Sequence, residues 1–357
     1  MKKFISCILA AVMVTGSISA FASETKELTI ADAVKFTIAS DTSYLNLLDT
    51  GTLNAEGRTD ALNNYYDNWG MVDDGSDWLK TEVQLMQYDA KLALQSSNEK
   101  QKQLILQNTL TRYFMNIITA EKSLALSNLA LENKKADLNI LSTKARLGLV
   151  SQSEYNASLA DFEKSKNDIV LKEKNIVGAY TELNRLMSKP IHNRYTLILD
   201  FKYRPIEDIN LDHKISRAIS DSTSIKQKES DLEVARFRSD KAWVFSGSTQ
   251  STYTDVQIQA TQARRVLDDA KENLRSAIIT AYNDIKTLEV QISTNELELL
   301  NMQNQLAIKK VELRLGKITA LDLKKFEYQI IQLEETLRQQ KYNHALTAWQ
   351  FENPEVL

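Results

Sequence analysis

Residues 110–147 read LTRYFMNIITAEKSLALSNLALENKKADLNILSTKARL, and the spacing of their apolar side chains decides the fold. Leu110, Ile117, Leu124, Leu131, Leu138 and Ala145 recur every seven residues. Seven residues fall just short of two helical turns, so such a repeat keeps one apolar seam facing a partner only when helices wind around each other left-handedly. The stretch runs back to Trp78 without a proline or a glycine. It therefore predicts a single helix of about 70 residues, on the order of 105 Å long, a length no compact domain holds. Tyr253 to Leu315 has the same character, with its seam at Ile278, Ile285, Ile292, Leu299, Leu306 and Leu313. Position 278 lies 168 residues after 110, and the other five pairs keep that offset. A constant offset marks two copies of one structural unit.

Both long helices are predicted to end at a glycine. Gly148 follows Arg146-Leu147 and Gly316 follows Arg314-Leu315, each suited to the left-handed position after a helix. Ser151 with Glu154, and Thr319 with Asp322, then have the spacing of a capping box that starts the next helix. The return helices carry seams at Tyr155, Phe162, Ile169, Ile176 and Leu183, and at Leu323, Ile330, Leu337, His344 and Phe351, again 168 residues apart. Each copy is thus an antiparallel hairpin with a tight tip. His344, the one polar member of these return seams apart from a tyrosine, reads as an interruption that fixes register.

The first return helix is expected to stop near Ser188, before Pro190, after about half the length of its outgoing partner. Residues 190–210 read as a connector with at most a short strand near 195–203. Leu211 to about Trp243 is expected to form one further helix. Leu28 to Asn64 reads as helices broken near Asp41–Ser43 and weakened by Gly51 and Gly57. Thr42-Ser43 and Thr223-Ser224 correspond at an offset of 181, so the early parts of the halves match as well. The expected class is all-α: a first helical repeat over 23–189 with its tip at 148–151, and a second over 211–357 with its tip at 316–319.

Met1 to Ala22 has Lys2 and Lys3, an apolar core and Ala20-Phe21-Ala22, the pattern of a secretory signal peptide cleaved after Ala22. The only cysteine, Cys7, is expected to leave with it, so packing rather than disulfides must hold the exported chain together. Without the leader, 42 basic and 47 acidic residues remain, which gives no case for a nucleic-acid partner. No later stretch has eighteen consecutive apolar residues. His192, His213 and His344 are scattered, no phosphate-cradling loop or nucleophile–base pattern occurs, and so no catalytic residue, metal or cofactor is expected.

The duplicated heptads and the two tips, Arg146-Leu-Gly-Leu-Val-Ser-Gln-Ser-Glu-Tyr155 and Arg314-Leu-Gly-Lys-Ile-Thr-Ala-Leu-Asp-Leu323, resemble the TolC family of envelope channels for efflux and type I secretion. The resemblance covers Leu28 to Phe351. It implies a protomer of an α-barrel closed by a homotrimer, working with a membrane-fusion adaptor and an ABC or other inner-membrane pump. It also implies that the tips, Gly148, Leu149, Val150 and Ser151 with Gly316, Lys317, Ile318 and Thr319, dock the adaptor. Glu154 and Asp322 match acids at the family's tunnel entrance, while the later acidic position is Lys325, whose charge would offset a cation-binding ring. Read from spacing alone, Glu154 and Asp322 are helix caps.

The membrane end departs from the family. A pair of spanning strands with its turn needs more than about 20 residues, and only Tyr65–Asp77 and Trp243–Thr254 stand where such pairs would be inserted. The family's C-terminal extension is likewise expected to be missing. Trp69, Trp78, Trp243 and Phe245 gather at this end, either as contacts with a membrane or as packing between helix ends. Two functions follow: a passive envelope conduit of outer-membrane type without a spanning barrel, or a scaffolding coiled-coil protein of the envelope that has lost the channel.

Overall fold

The structure, a computed structural model, describes residues 26–67, 76–245 and 250–357. The expected leader lies outside them. In chain order the elements are β1 (Lys26–Thr29), α1 (Ile30–Ile38), α2 (Thr42–Asp67), α3 (Ser76–Arg146), α4 (Gln152–Leu186), β2 (Tyr195–Ile198), α5 (Leu211–Asp221), α6 (Thr223–Asp240), α7 (Ala242–Phe245), α8 (Gln250–Arg314) and α9 (Ala320–Glu352), with a last 3-10 turn at Pro354–Val356.

Both long helices form as expected, α3 with 71 residues and α8 with 65. α2 lies along the first part of α3 and α4 along the second, while α6 and α9 do the same on α8. The two halves join where α3 packs against both α6 and α9. On the tip side the helices therefore run in the order α4, α3, α9, α8.

The two cores are copies. In one, Leu110, Ile117 and Leu183 are buried with Phe114, Tyr180 and Met187; in the other, Ile278, Ile285 and Phe351 occupy the matched places beside Ile215 and Ala281. Seven-residue spacing delivers these side chains to one line along each hairpin, which is why the seams are the core.

Three expectations change. The helix expected over 211–243 is broken twice: Ser222 leaves helical geometry to cap α6, where Glu355 Oε1 accepts the Thr223 N–H at 2.7 Å, and Lys241 ends α6 before α7. The helix expected from Leu28 begins instead after β1, which pairs in parallel with β2 from Lys26↔Tyr195 to Thr29↔Ile198. α2 runs unbroken through Gly51 and Gly57: a Cβ there would stand 2.8 Å from the Gln95 side chain and 2.6 Å from the Tyr88 hydroxyl, so both glycines let α2 approach α3.

Candidate functional site

Both tips are built by the same backbone device. Gly148 has φ +71° and Gly316 φ +70°, in open space, so glycine is needed there for conformation and not for room. The Gly148 N–H donates to Ala145 O at 3.1 Å and the Leu149 N–H to Lys144 O at 2.9 Å. Gly316 to Leu313 O at 3.0 Å and Lys317 to Glu312 O at 2.9 Å repeat the pattern, the Schellman closure of a helix end.

The restart after each turn differs. Thr319 Oγ1 accepts the Asp322 N–H at 3.1 Å, and Asp322 Oδ2 accepts the Thr319 N–H at 2.9 Å, a complete capping box. That backbone N–H holds the Asp322 carboxyl below its ordinary value, helped by the Thr319 hydroxyl. At the first tip Ser151 Oγ accepts the Glu154 N–H at 3.1 Å, but the Glu154 carboxylate accepts no hydrogen bond from the Ser151 N–H. Asp322 is thus committed to capping, whereas the Glu154 carboxylate is left facing the groove that it lines with Lys144 and Asp161. Leu147, Leu149 and Leu315 are 68%, 69% and 65% exposed.

Lys325 reaches Asp137 on α3 at 2.7 Å, and Lys324 stands 3.9 Å from Glu132. These pairs tie α9 to α3 close to the tips and hold both tips at the same end of the molecule. At the far end Trp78 packs on Tyr65 with ring centroids 6.1 Å apart, while Trp243 is 72% exposed. Trp69 and the Phe245 side chain lie outside the described residues. The helices reach Asp67 and Phe245 and resume at Ser76 and Gln250, so the intervening stretches are shorter than one pair of spanning strands.

A second constellation, which spacing alone did not reveal, clamps the connector. Glu289 Oε1 accepts the Ile206 N–H at 2.6 Å, and Lys286 Nζ donates to the Ile206 carbonyl at 2.9 Å, so both backbone polar groups of one residue are held. Lys286 and Glu289 also pair at 3.2 Å. His344 Nε2 lies 3.3 Å from Glu289 Oε1, its ring edge-on to Tyr203, and the side chain is 1% exposed. Burial works to raise the Glu289 pKa, but the Ile206 N–H, His344 and Lys286 outweigh it and hold the carboxyl below its ordinary value. The polar interruption in the second return seam thus has a partly buried acid as partner. The signal in the sequence was only Lys286 and Glu289 three residues apart on α8, a spacing common on solvated helix faces.

Among the described residues no group of three or more potential metal ligands occurs, and no helix is long and apolar enough to cross a membrane. No protein-family model matches the sequence, and no curated protein matches it. Solved structures do match in fold. A CusC structure described by conformational changes accompanying folding and transmembrane channel formation aligns with TM-score 0.66 at 11% identity, over 96% of this chain and 95% of that one. The outer membrane protein VceC of Vibrio cholerae aligns with TM-score 0.61 at 9% identity, over 92% and 96%. The open MtrE outer membrane channel of Neisseria gonorrhoeae gives 0.59 at 12%, over 91% and 88%. The fold is that of the TolC-family outer-membrane channels, with long paired helices and, among the described residues, one sheet of two short strands.

Proposed function

We propose that this chain is the protomer of a closed ring of helical hairpins: a homotrimeric, passive conduit of the cell envelope for efflux or type I secretion. One observation carries the reading. Inside the chain α9 packs against α3, yet among the described residues no comparable packing of α4 against α8, the repeat counterpart of that contact, occurs. A second copy can supply it. The face of α8 that such a neighbour would cover is apolar: Val290, Leu297 and Ile308 are 67%, 68% and 60% exposed, at spacings of 7 and 11 that keep them in one line on a helix. The free side of α4 offers Val170, Leu171 and Val177. A contact between two different faces, repeated head to tail, closes into a ring when the rotation allows.

In this reading the tips dock an adaptor that connects the conduit to an energised inner-membrane pump, and the Lys325–Asp137 and Lys324–Glu132 pairs are the links that part when the hairpins shift to open the end. The short stretches at the other end favour one alternative, an envelope scaffold that has kept the hairpins without a channel.

Because residues 23–357 hold no cysteine, thiol cross-linking tests the ring directly. Asn156 and Leu300 are the repeat counterparts of Lys324 and Glu132. With a short bismaleimide, the double variant N156C/L300C is expected to give dimer and trimer bands, and either single variant none. Light scattering without detergent should give a trimer. A monomer over a wide concentration range, with no cross-link from the double variant, would rule out the ring and leave the scaffold.

A further inference from the structure

The two tips share a backbone but not a surface. Residues 309–325 hold six basic and two acidic side chains, the matched residues 141–157 hold two and one, and the chain as a whole holds 44 and 47. At the second tip Lys324 and Lys325 are engaged with Glu132 and Asp137, and Lys309 lies over the Phe326 ring at 5.1 Å. Lys310, Arg314 and Lys317 remain exposed and form no ion pair among the described residues. Of the two acids in this stretch, Glu312 forms no ion pair with Lys310 or Arg314 among the described residues, and Asp322 is engaged with Thr319 in its capping box. Exposed Leu315 stands between Arg314 and Gly316. Where the second tip has Lys317, the first has Leu149, so the first tip presents Leu147 and Leu149 side by side across Gly148.

We propose that the second tip is a docking face for an acidic protein segment, one whose carboxylates meet Lys310, Arg314 and Lys317 around a small apolar socket for Leu315, whereas the first tip docks through apolar contact. The inference rests on the reading of the tips as docking ends, and it makes the two tips of each chain non-equivalent to their partner. Charge-assisted pairs at discrete positions suit a protein surface. A bilayer surface is the poorer match, because membrane attachment grows with the apolar area inserted and the second tip offers one leucine on a fixed turn. The basic face also steers association, which weakens as salt screens it.

The test uses residues 23–357 and a fluorescein-labelled poly-L-glutamate 20-mer, read by anisotropy. Binding is expected at low salt and should weaken as salt rises. K310E/R314E/K317E should weaken it at least about tenfold, as the loss and reversal of several steering charges implies. The shaft control K164E/K174E/R265E, which reverses three exposed charges away from the tips, should stay within about twofold of the unaltered protein. L149K should tighten binding by giving the first tip the charge of the second. Circular dichroism verifies that each variant keeps its helices. Equal losses in tip and shaft variants, or no loss in the tip variant, would overturn the proposal. So would binding to phosphatidylglycerol vesicles without binding to the peptide, which would assign the face to a membrane. Light scattering on the same samples separates the two readings: a trimer indifferent to the peptide sinks this inference alone, and a monomer that binds it sinks the conduit and leaves the acidic docking face.

Discussion

Glu121 in the first half and Glu289 in the second stand 168 residues apart at the same place in the repeat, and both hold the connector, but by different chemistry. In the first half the Tyr180 hydroxyl lies 2.8 Å from Glu121 Oε1 and 2.9 Å from the Tyr195 carbonyl, its proton shared between them. Burial, and then the Glu121 charge, push the Tyr180 pKa well up from its ordinary 10.0. In the second half Glu289 is met by Lys286, His344 and the Ile206 N–H. The same architecture is thus secured by a neutral phenol on one side and by a charged cluster on the other. Duplication preserved the position of the acid and left its partners free to diverge.

The comparison breaks most visibly in the cores. Leu183 and Phe351 are matched seam residues, both fully buried. Leu183→Ala should cost about 2–5 kcal/mol and Phe351→Ala about 3–5 kcal/mol, the second falling higher because the ring also packs on Tyr282 and lies under Lys214. Chemical unfolding monitored by circular dichroism measures both. Equal and small losses would mean that the halves do not depend on these seams.

The connector clamps should separate by pH. The Glu289 pKa is depressed on folding, so its contribution is present above the ordinary carboxylate value of 4.5 and is lost as pH falls through the folded value. The Tyr180 pKa is raised, so its contribution is complete below 10.0 and is lost as pH rises beyond that. Glu289→Gln should lower stability by about 1–3 kcal/mol at neutral pH and flatten the acid side of the stability profile. Tyr180→Phe should flatten the alkaline side. Melting temperatures across pH check this, and a Glu289→Gln profile parallel to that of the unaltered protein would contradict the assignment.

The smallest effect tests sameness. Gly148→Ala and Gly316→Ala should each cost about 1–2 kcal/mol, since each forces a Cβ into left-handed geometry. Unequal costs would show that the tips differ in backbone strain as well as in surface.

Much of this molecule was legible because its information is periodic. Heptads at a fixed offset gave the long helices, and glycine followed by a hydroxyl residue and an acid gave both tips. What escaped was tertiary. β1 is four residues long, and its partner lies 169 positions later, from Lys26 to Tyr195. The break at Ser222 needs Glu355 to complete it, and Gly51 and Gly57 read as weak points of a helix because their reason, the nearness of Gln95 and Tyr88, lies on another helix. The paired role of His344 was hidden likewise, since Glu289 lies a helix away.

The two short strands carry a consequence for the order in which the protein folds. Each hairpin joins residues close in the chain and closes a short loop, so helical signal should recover early in refolding. The pairing of Lys26–Thr29 with Tyr195–Ile198 must close a far longer loop, and the Glu355 cap on Thr223 spans 132 positions. The waist of the molecule, where these ties sit, is therefore knitted last, after the rods that it holds together already exist.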